Sequence, residues 1–162
     1  MMQDMTDVRI NKYEVPEGVS EYHAIIRVTN PRLTYREQVD AVLAAYADLM
    51  EGDLKGASAV FKRFFLSDAA NQADYLQALH AERSDCPLSV IEQAPLDGTK
   101  IAMWVYAQTG VQTKTLSHGI YEVKHGNYRH LWMAGACNQA LNSEYQMRLL
   151  FNDYVMQLLE NG

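Results

Sequence analysis

The apolar positions along this chain switch between two periods, and the switches mark its elements. Residues 8–15 and 21–29 carry short apolar and β-branched runs. They read as two strands joined by the turn "VPEGVS", with Asn30-Pro31 closing the second. The spacing then changes: Val39, Val42, Leu43, Tyr46, Leu49 and Met50 fall at i, i+3, i+4, i+7, i+10 and i+11, one face of a helix. Thr34 with Glu37 forms a capping box ahead of that face, and Gly52 is a natural stop behind it. "GASAVFKRFFLSD" is dense in Val, Phe and Leu and reads as a central strand covered on both sides. A weaker helical pattern over 69–83 follows, with Ser67 or Asn71 as its cap. "PLSVIEQ" and "KIAMWVYAQT" read as strands joined through "APLDGT", where Asp-Gly marks a tight turn. Residues 109–117 then form a polar stretch.

After that stretch the pattern begins again. "HGIYEVKHGNYRHLWMAG" predicts two short strands around a glycine turn, and Ser143 with Gln146 forms a second capping box. Met147, Leu150, Phe151, Tyr154 and Leu158 then share one helical face. With an offset of 108, Val39 meets Met147, Val42 meets Leu150, Leu43 meets Phe151, Tyr46 meets Tyr154 and Met50 meets Leu158. Only Leu49, against Gln157, departs from the match on that face, and "KYEV" (12–15) has a counterpart in "IYEV" (120–123). The order strand, strand, helix thus occurs twice, which predicts an internal duplication. A first unit over 1–112 is followed by the opening of a second over 113–162, so the sequence reads as a fragment of a longer protein. The final apolar face predicts that the last helix packs on its own domain or on a neighbouring chain.

Composition narrows the setting. The 162 residues are 48% hydrophobic and 21% charged, enough for a core without disulfides or metals. The net charge of −6, with no run of Lys or Arg longer than two, argues against a phosphate-bound nucleic-acid partner. The amino terminus, "MMQDMTDVRI", has no apolar signal region, and no apolar run approaches a membrane span. Cys86 and Cys137 have no short-spacing pattern and read as reduced thiols of a cytoplasmic protein.

"VFKRFFLSDAANQADYLQAL" followed by "CPLSVIEQAPLDGTKIAMWVYA" resembles the Rid family, also called YjgF or RidA-like. The turn Leu66-Ser67-Asp68 is similar to that family's Leu-Thr-Asp turn. Pro95-Leu96-Asp97-Gly98 is similar to its Leu-Pro-x-Gly connection. The resemblance spans residues 8–109, and 117–162 resembles the start of a second such domain. It implies an α+β, chorismate-mutase-like fold, a mixed sheet with two helices on one face, here with an extra β-β-α segment at the carboxy end. It also implies trimers with ligand clefts between subunits, and hydrolysis of enamines and imines to keto acids. Older labels for the family are translation initiation inhibitor and L-PSP endoribonuclease. The acidic charge and the lack of a placed acid–base pair oppose RNA cleavage here.

The family's chemistry does not carry over. Its substrate-holding arginine falls on Pro87, its glutamate at about Ala102 and its helix asparagine near Leu76, so the sequence predicts no standard deaminase and no catalytic residue. What remains is a degenerate, non-catalytic assembly half. The alternative is a small-metabolite hydrolase acting through non-standard residues on an imine or a chorismate-like carboxylate. Arg27 and Arg63, on predicted strands, are the candidates for holding such a carboxylate, because a guanidinium makes paired charge-assisted bonds. Cys86, beside Pro87, is a candidate thiol. Trp104, Tyr106 and Trp132 offer rings for stacking, though aromatics at strand positions also build cores. His118, His125, His130 and Cys137 match no zinc spacing, and strand alternation would send the histidines to different faces, so no metal and no cofactor is expected.

Overall fold

A computed structural model describes residues 5–81, 86–135 and 142–162. In chain order the elements are β1 (Thr6–Tyr13), β2 (Glu21–Val28), α1 (Tyr35–Glu51), β3 (Ser58–Leu66), α2 (Ala69–Ala81), β4 (Leu88–Glu92) and β5 (Ile101–Gln108). They continue with β6 (Gln112–Thr115), a 3-10 turn (Ser117–Gly119), β7 (Tyr121–His125), β8 (Tyr128–Trp132) and α3 (Ser143–Asn161). The architecture is α+β. One mixed sheet has the order β1-β2-β5-β3-β4, with only β3 and β4 parallel, and a separate antiparallel sheet has the order β6-β7-β8.

Alternation along the strands explains how the large sheet is covered. Ala24, Ile26 and Val28 of β2, Phe64 and Leu66 of β3, and Ile101, Met103, Val105 and Ala107 of β5 form one buried face. Val39, Val42 and Leu49 of α1 and Leu76 of α2 pack onto it, so both helices lie on that side. Each fully buried Leu, Ile or Phe there contributes about 1.5–3 kcal/mol relative to exposure. The capping box of α1 forms as the sequence predicts: Thr34 Oγ1 accepts from the Glu37 N–H, and the Thr34 N–H donates to Glu37 Oε2 at 2.8 Å.

The other two caps differ from expectation. Asp68, not Ser67 or Asn71, takes a free backbone donor of α2, the Asn71 N–H, at 3.3 Å. Ser67 instead accepts from the Gln72 side chain. Asn142, not Ser143, caps α3 by accepting from the Tyr145 N–H. In both cases a carboxylate or amide one residue away supplies the acceptor that the expected residue would have supplied.

β6 falls inside the polar stretch over 109–117. All four of its residues are exposed, so it carries no apolar period and is held through its pairing with β7. The small sheet lies on the opposite face of the large one: Tyr121 and Val123 join Ala59, Val60, Phe61, Cys86 and Tyr106 in a second buried cluster. Shifted by 108 residues, α1 falls on α3 and β2 on β8, but β1 falls across the end of β6, the 3-10 turn and the start of β7.

α3 does not bury its apolar face within its own chain, the first of the two expected packings. None of its residues is buried. Leu150 and Leu158 are half-buried, whereas Met147, Phe151 and Tyr154, expected on the same packed face, are exposed. Its carboxy-terminal turn is tied down by polar groups: Ser117 Oγ donates to Asn161 Oδ1, Arg129 Nη1 donates to the Gly162 carbonyl, and His118 lies 3.3 Å from Glu160. Among the described residues, no helix is long and apolar enough to cross a membrane.

Candidate functional site

The face of the large sheet away from α1 and α2 is built in rows, because side chains two residues apart share a face. Register sets His23, Tyr106 and Phe61 in one row. Ile25, Trp104, Arg63 and Ser89 form the next, and Arg27, Ala102, Phe65 and Ile91 the third. The small sheet covers the first row and leaves the other two partly open.

A bulge in β3 decides which side chains stand in the middle row. Ala59 pairs with Ala107 and Phe61 with Tyr106, so Val60 is an extra residue on that strand. One extra residue sends every later side chain to the opposite face. Without it, Lys62 would stand opposite Trp104 and Arg63 would point into the helix-covered core. With it, Lys62 is buried on the helix side, its Nζ 4.9 Å from the centre of the Tyr46 ring, and Arg63 faces the open side.

Arg63 and Trp132 meet in a cleft of about 450 Å³ lined by Phe61, Arg63, Ser89, Trp104, Trp132, Met133, Ala134 and Gly135. The Arg63 guanidinium carbon lies 5.5 Å from the Phe61 ring centre and 5.8 Å from that of Trp104. Trp132 closes the other wall, 5.8 Å from Phe61 and 5.6 Å from Tyr106. Among the described residues, Arg63 Nε and Trp132 Nε1 are both buried donors with no acceptor. A buried donor left unpaired costs about 1–3 kcal/mol. Among the described residues, no carboxylate pairs with Arg63.

The two arginine candidates therefore separate. Arg27 Nη2 donates to Asp7 Oδ2, and this bond, with Arg9 nearby, holds the Asp7 carboxyl below its usual range. Arg27 borders a second hollow of about 560 Å³, lined by Ile25, Phe65, Ala102 and the loop Gln93–Asp97. There, hydrogen bonds from Thr99 hold the Asp97 carboxyl low, with a smaller contribution from Arg27. Cys86 is 4% exposed inside the second buried cluster, which shields its thiol from solvent.

Pro87, Ala102 and Leu76 supply no ionisable group. The Pro87 carbonyl accepts the Lys62 N–H at 2.9 Å, Ala102 lines the hollow beside Arg27, and Leu76 is fully buried under α2. Of the expected stacking rings, Trp104 and Trp132 line the cleft, while Tyr106 is buried behind them. Burial and the neighbouring Glu21 push the Tyr106 hydroxyl up to about 12, opposed by its bond from Gln108.

The histidines are placed differently from expectation. His130 pairs across from Val123 and His125 from Tyr128, so His125 and His130 share a face and border one cavity of about 280 Å³. The antiparallel register, not the count along a single strand, sets that shared side. His118 stands apart at φ 57° beside Glu160. Cys137 lies outside the described residues, and among those residues no group of three metal-ligating side chains converges.

Chemically, the Arg63 cleft can recognise an anion and a flat ring. Among the described residues, Ser89 is its one hydroxyl, and no carboxylate, imidazole or thiol lines it to act as a general base. No protein-family model, curated protein or solved structure matches the chain.

Proposed function

We propose that this chain is a non-catalytic assembly unit with a degenerate Rid-like fold, acting in the cytoplasm and associating with copies of itself as a trimer. The observation that carries the reading is the bare face of α3. Met147, Phe151, Tyr154, Val155 and Leu159 fall at i, i+4, i+7, i+8 and i+12, and their exposures run from 43% to 72%. A contiguous apolar stripe of that kind on a folded chain marks a protein–protein surface. The strand and helix order through β5, with both helices on one side of a mixed sheet, is compatible with the chorismate-mutase-like fold. The hydrolase alternative is less well supported, because the positions that would hold the substrate and orient water carry Pro87 and Ala102, and no described residue lining the open cleft can act as a base.

Light scattering on the purified chain tests this. The expected mass is three times the 18.4 kDa of one chain. The double substitution Phe151→Glu, Val155→Glu should reduce it to 18.4 kDa while leaving the circular dichroism spectrum unchanged. A wild-type chain that stays at 18.4 kDa up to high concentration would overturn the reading, as would an assembly that the double substitution leaves intact.

A further inference from the structure

We propose that the cleft between β3, β4, β5 and the end of β8 is a binding site for a small aromatic carboxylate. The inference stands apart from the assembly reading, since none of the α3 stripe lines this cleft.

Three observations converge on it. The first is charge without a partner: among the described residues, Arg63 is the only ionisable side chain lining the cleft, and its Nε is buried with no acceptor. A guanidinium so placed presents a planar fork that matches a carboxylate. The second is a further unpaired donor in the same cleft, Trp132 Nε1, with the Ser89 hydroxyl also on the wall. A ligand with two acceptor oxygens would satisfy both orphaned N–H groups, which no described side chain does. The third is the wall itself. Phe61, Trp104 and Trp132 present aromatic surface to a volume of about 450 Å³, a size suited to a small ligand.

The same features set the ligand class. One guanidinium, with no second Arg or Lys among the described lining residues, suits a single negative charge better than a phosphate dianion. A free inorganic anion would leave three aromatic walls without an apolar partner. A neutral aromatic would leave the guanidinium unpaired. An aromatic ring bearing one carboxylate meets both demands. Arg63 stands on β3, not at the Pro87 position where the resembled family carries its arginine, so the site is built from different residues.

The chain reports on this cleft directly, because its two tryptophans, Trp104 and Trp132, both line it. Sodium benzoate is titrated against the full chain, read by tryptophan emission and by calorimetry, beside benzamide, acetate and inorganic phosphate. Benzoate should bind saturably. Benzamide, which has the ring without the charge, and acetate, which has the charge without the ring, should each bind about tenfold more weakly or worse. Arg63→Gln should weaken benzoate at least about tenfold. Trp132→Phe, which keeps an aromatic wall and loses the N–H, should weaken it severalfold. Arg27→Gln, one row away and bonded to Asp7, should leave it unchanged. Failure of benzoate to saturate in the millimolar range would overturn the proposal. So would equal binding of benzamide, unchanged affinity in Arg63→Gln, or phosphate binding as well as benzoate. Should Arg63→Gln fail to fold, the benzoate and benzamide comparison and Trp132→Phe still decide.

Discussion

Gln38 offers the sharpest test of how the large sheet and α1 are joined. It is fully buried in a helix whose other inward residues are mostly apolar. Its Nε2 donates to the Leu33 carbonyl at 2.9 Å, and its Oε1 accepts the Lys100 N–H at 2.7 Å. The side chain therefore ties the first turn of α1 to the residue that opens β5. Gln38→Leu keeps roughly the same volume and removes both bonds. The Leu33 carbonyl retains Lys100 Nζ at 3.1 Å, so the loss falls mainly on the Lys100 N–H, left without its acceptor. An unpaired buried donor costs up to about 3 kcal/mol, and the easier burial of leucine offsets part of that, leaving about 2 kcal/mol. For a chain of this length the melting temperature should fall by about 4–8 °C. In urea, with a slope of about 1–3 kcal/mol/M, the midpoint should fall by about 1 M at unchanged slope. Gln112→Leu, on exposed β6, should stay within about 0.5 kcal/mol of wild type. If Gln38→Leu also stayed within that margin, the two bonds would carry no net stability, and the argument from buried unpaired donors would fail here.

Two further predictions concern pH. The Glu122 side chain is 6% exposed and is held below the usual carboxylate range, first by its bond from Arg129 and then by Lys124 at 3.2 Å. A depressed folded pKa gives stability that is present above the unfolded value of about 4.3 and is lost as pH falls through the folded one. Acid unfolding followed by circular dichroism should therefore be shallower in Arg129→Met, and an identical acid profile would refute this. At the other end, burial pushes the hydroxyls of Tyr35 and Tyr106 up to about 12. The neutral forms favour the fold, so this contribution is complete below the unfolded value of about 10 and is lost as pH rises toward 12. Ultraviolet titration of the ten tyrosines should show a late-ionising class that Tyr35→Phe and Tyr106→Phe each diminish. A single ionisation step near 10 in the wild type would count against it.

Much of the element order was legible because local chemistry and packing agree. The Thr34–Glu37 box, the apolar stripe behind it and the alternation in β2 and β5 each point to what forms. β6 was not legible, since a strand whose four residues all face solvent has no apolar period to read. The caps at Asp68 and Asn142 sat one residue from the expected ones, within sequences where several side chains could serve. For the site, Arg63 and the rings of Trp104 and Trp132 were candidates from residue type alone. Their convergence was invisible, because they come from three strands and two sheets.

By itself, then, the sequence determined the α+β class, the helices and the capping of α1, all of which rest on residues within a few positions of each other. Tertiary structure alone decided which arginine stays unpaired. Arg27 and Arg63 are the same residue type on neighbouring rows of one face, yet β1 brings Asp7 to Arg27, and no described residue does the same for Arg63. It also decided which way Arg63 points, through one bulged residue at Val60 that exchanges the two faces of β3 beyond it. The turn of α3 belongs with these. Its apolar spacing matches that of α1, but α1 packs onto the five-stranded sheet, whereas the carboxy-terminal turn of α3 is tied by polar groups to the 3-10 turn and β8, so similar patterns give one buried face and one bare one.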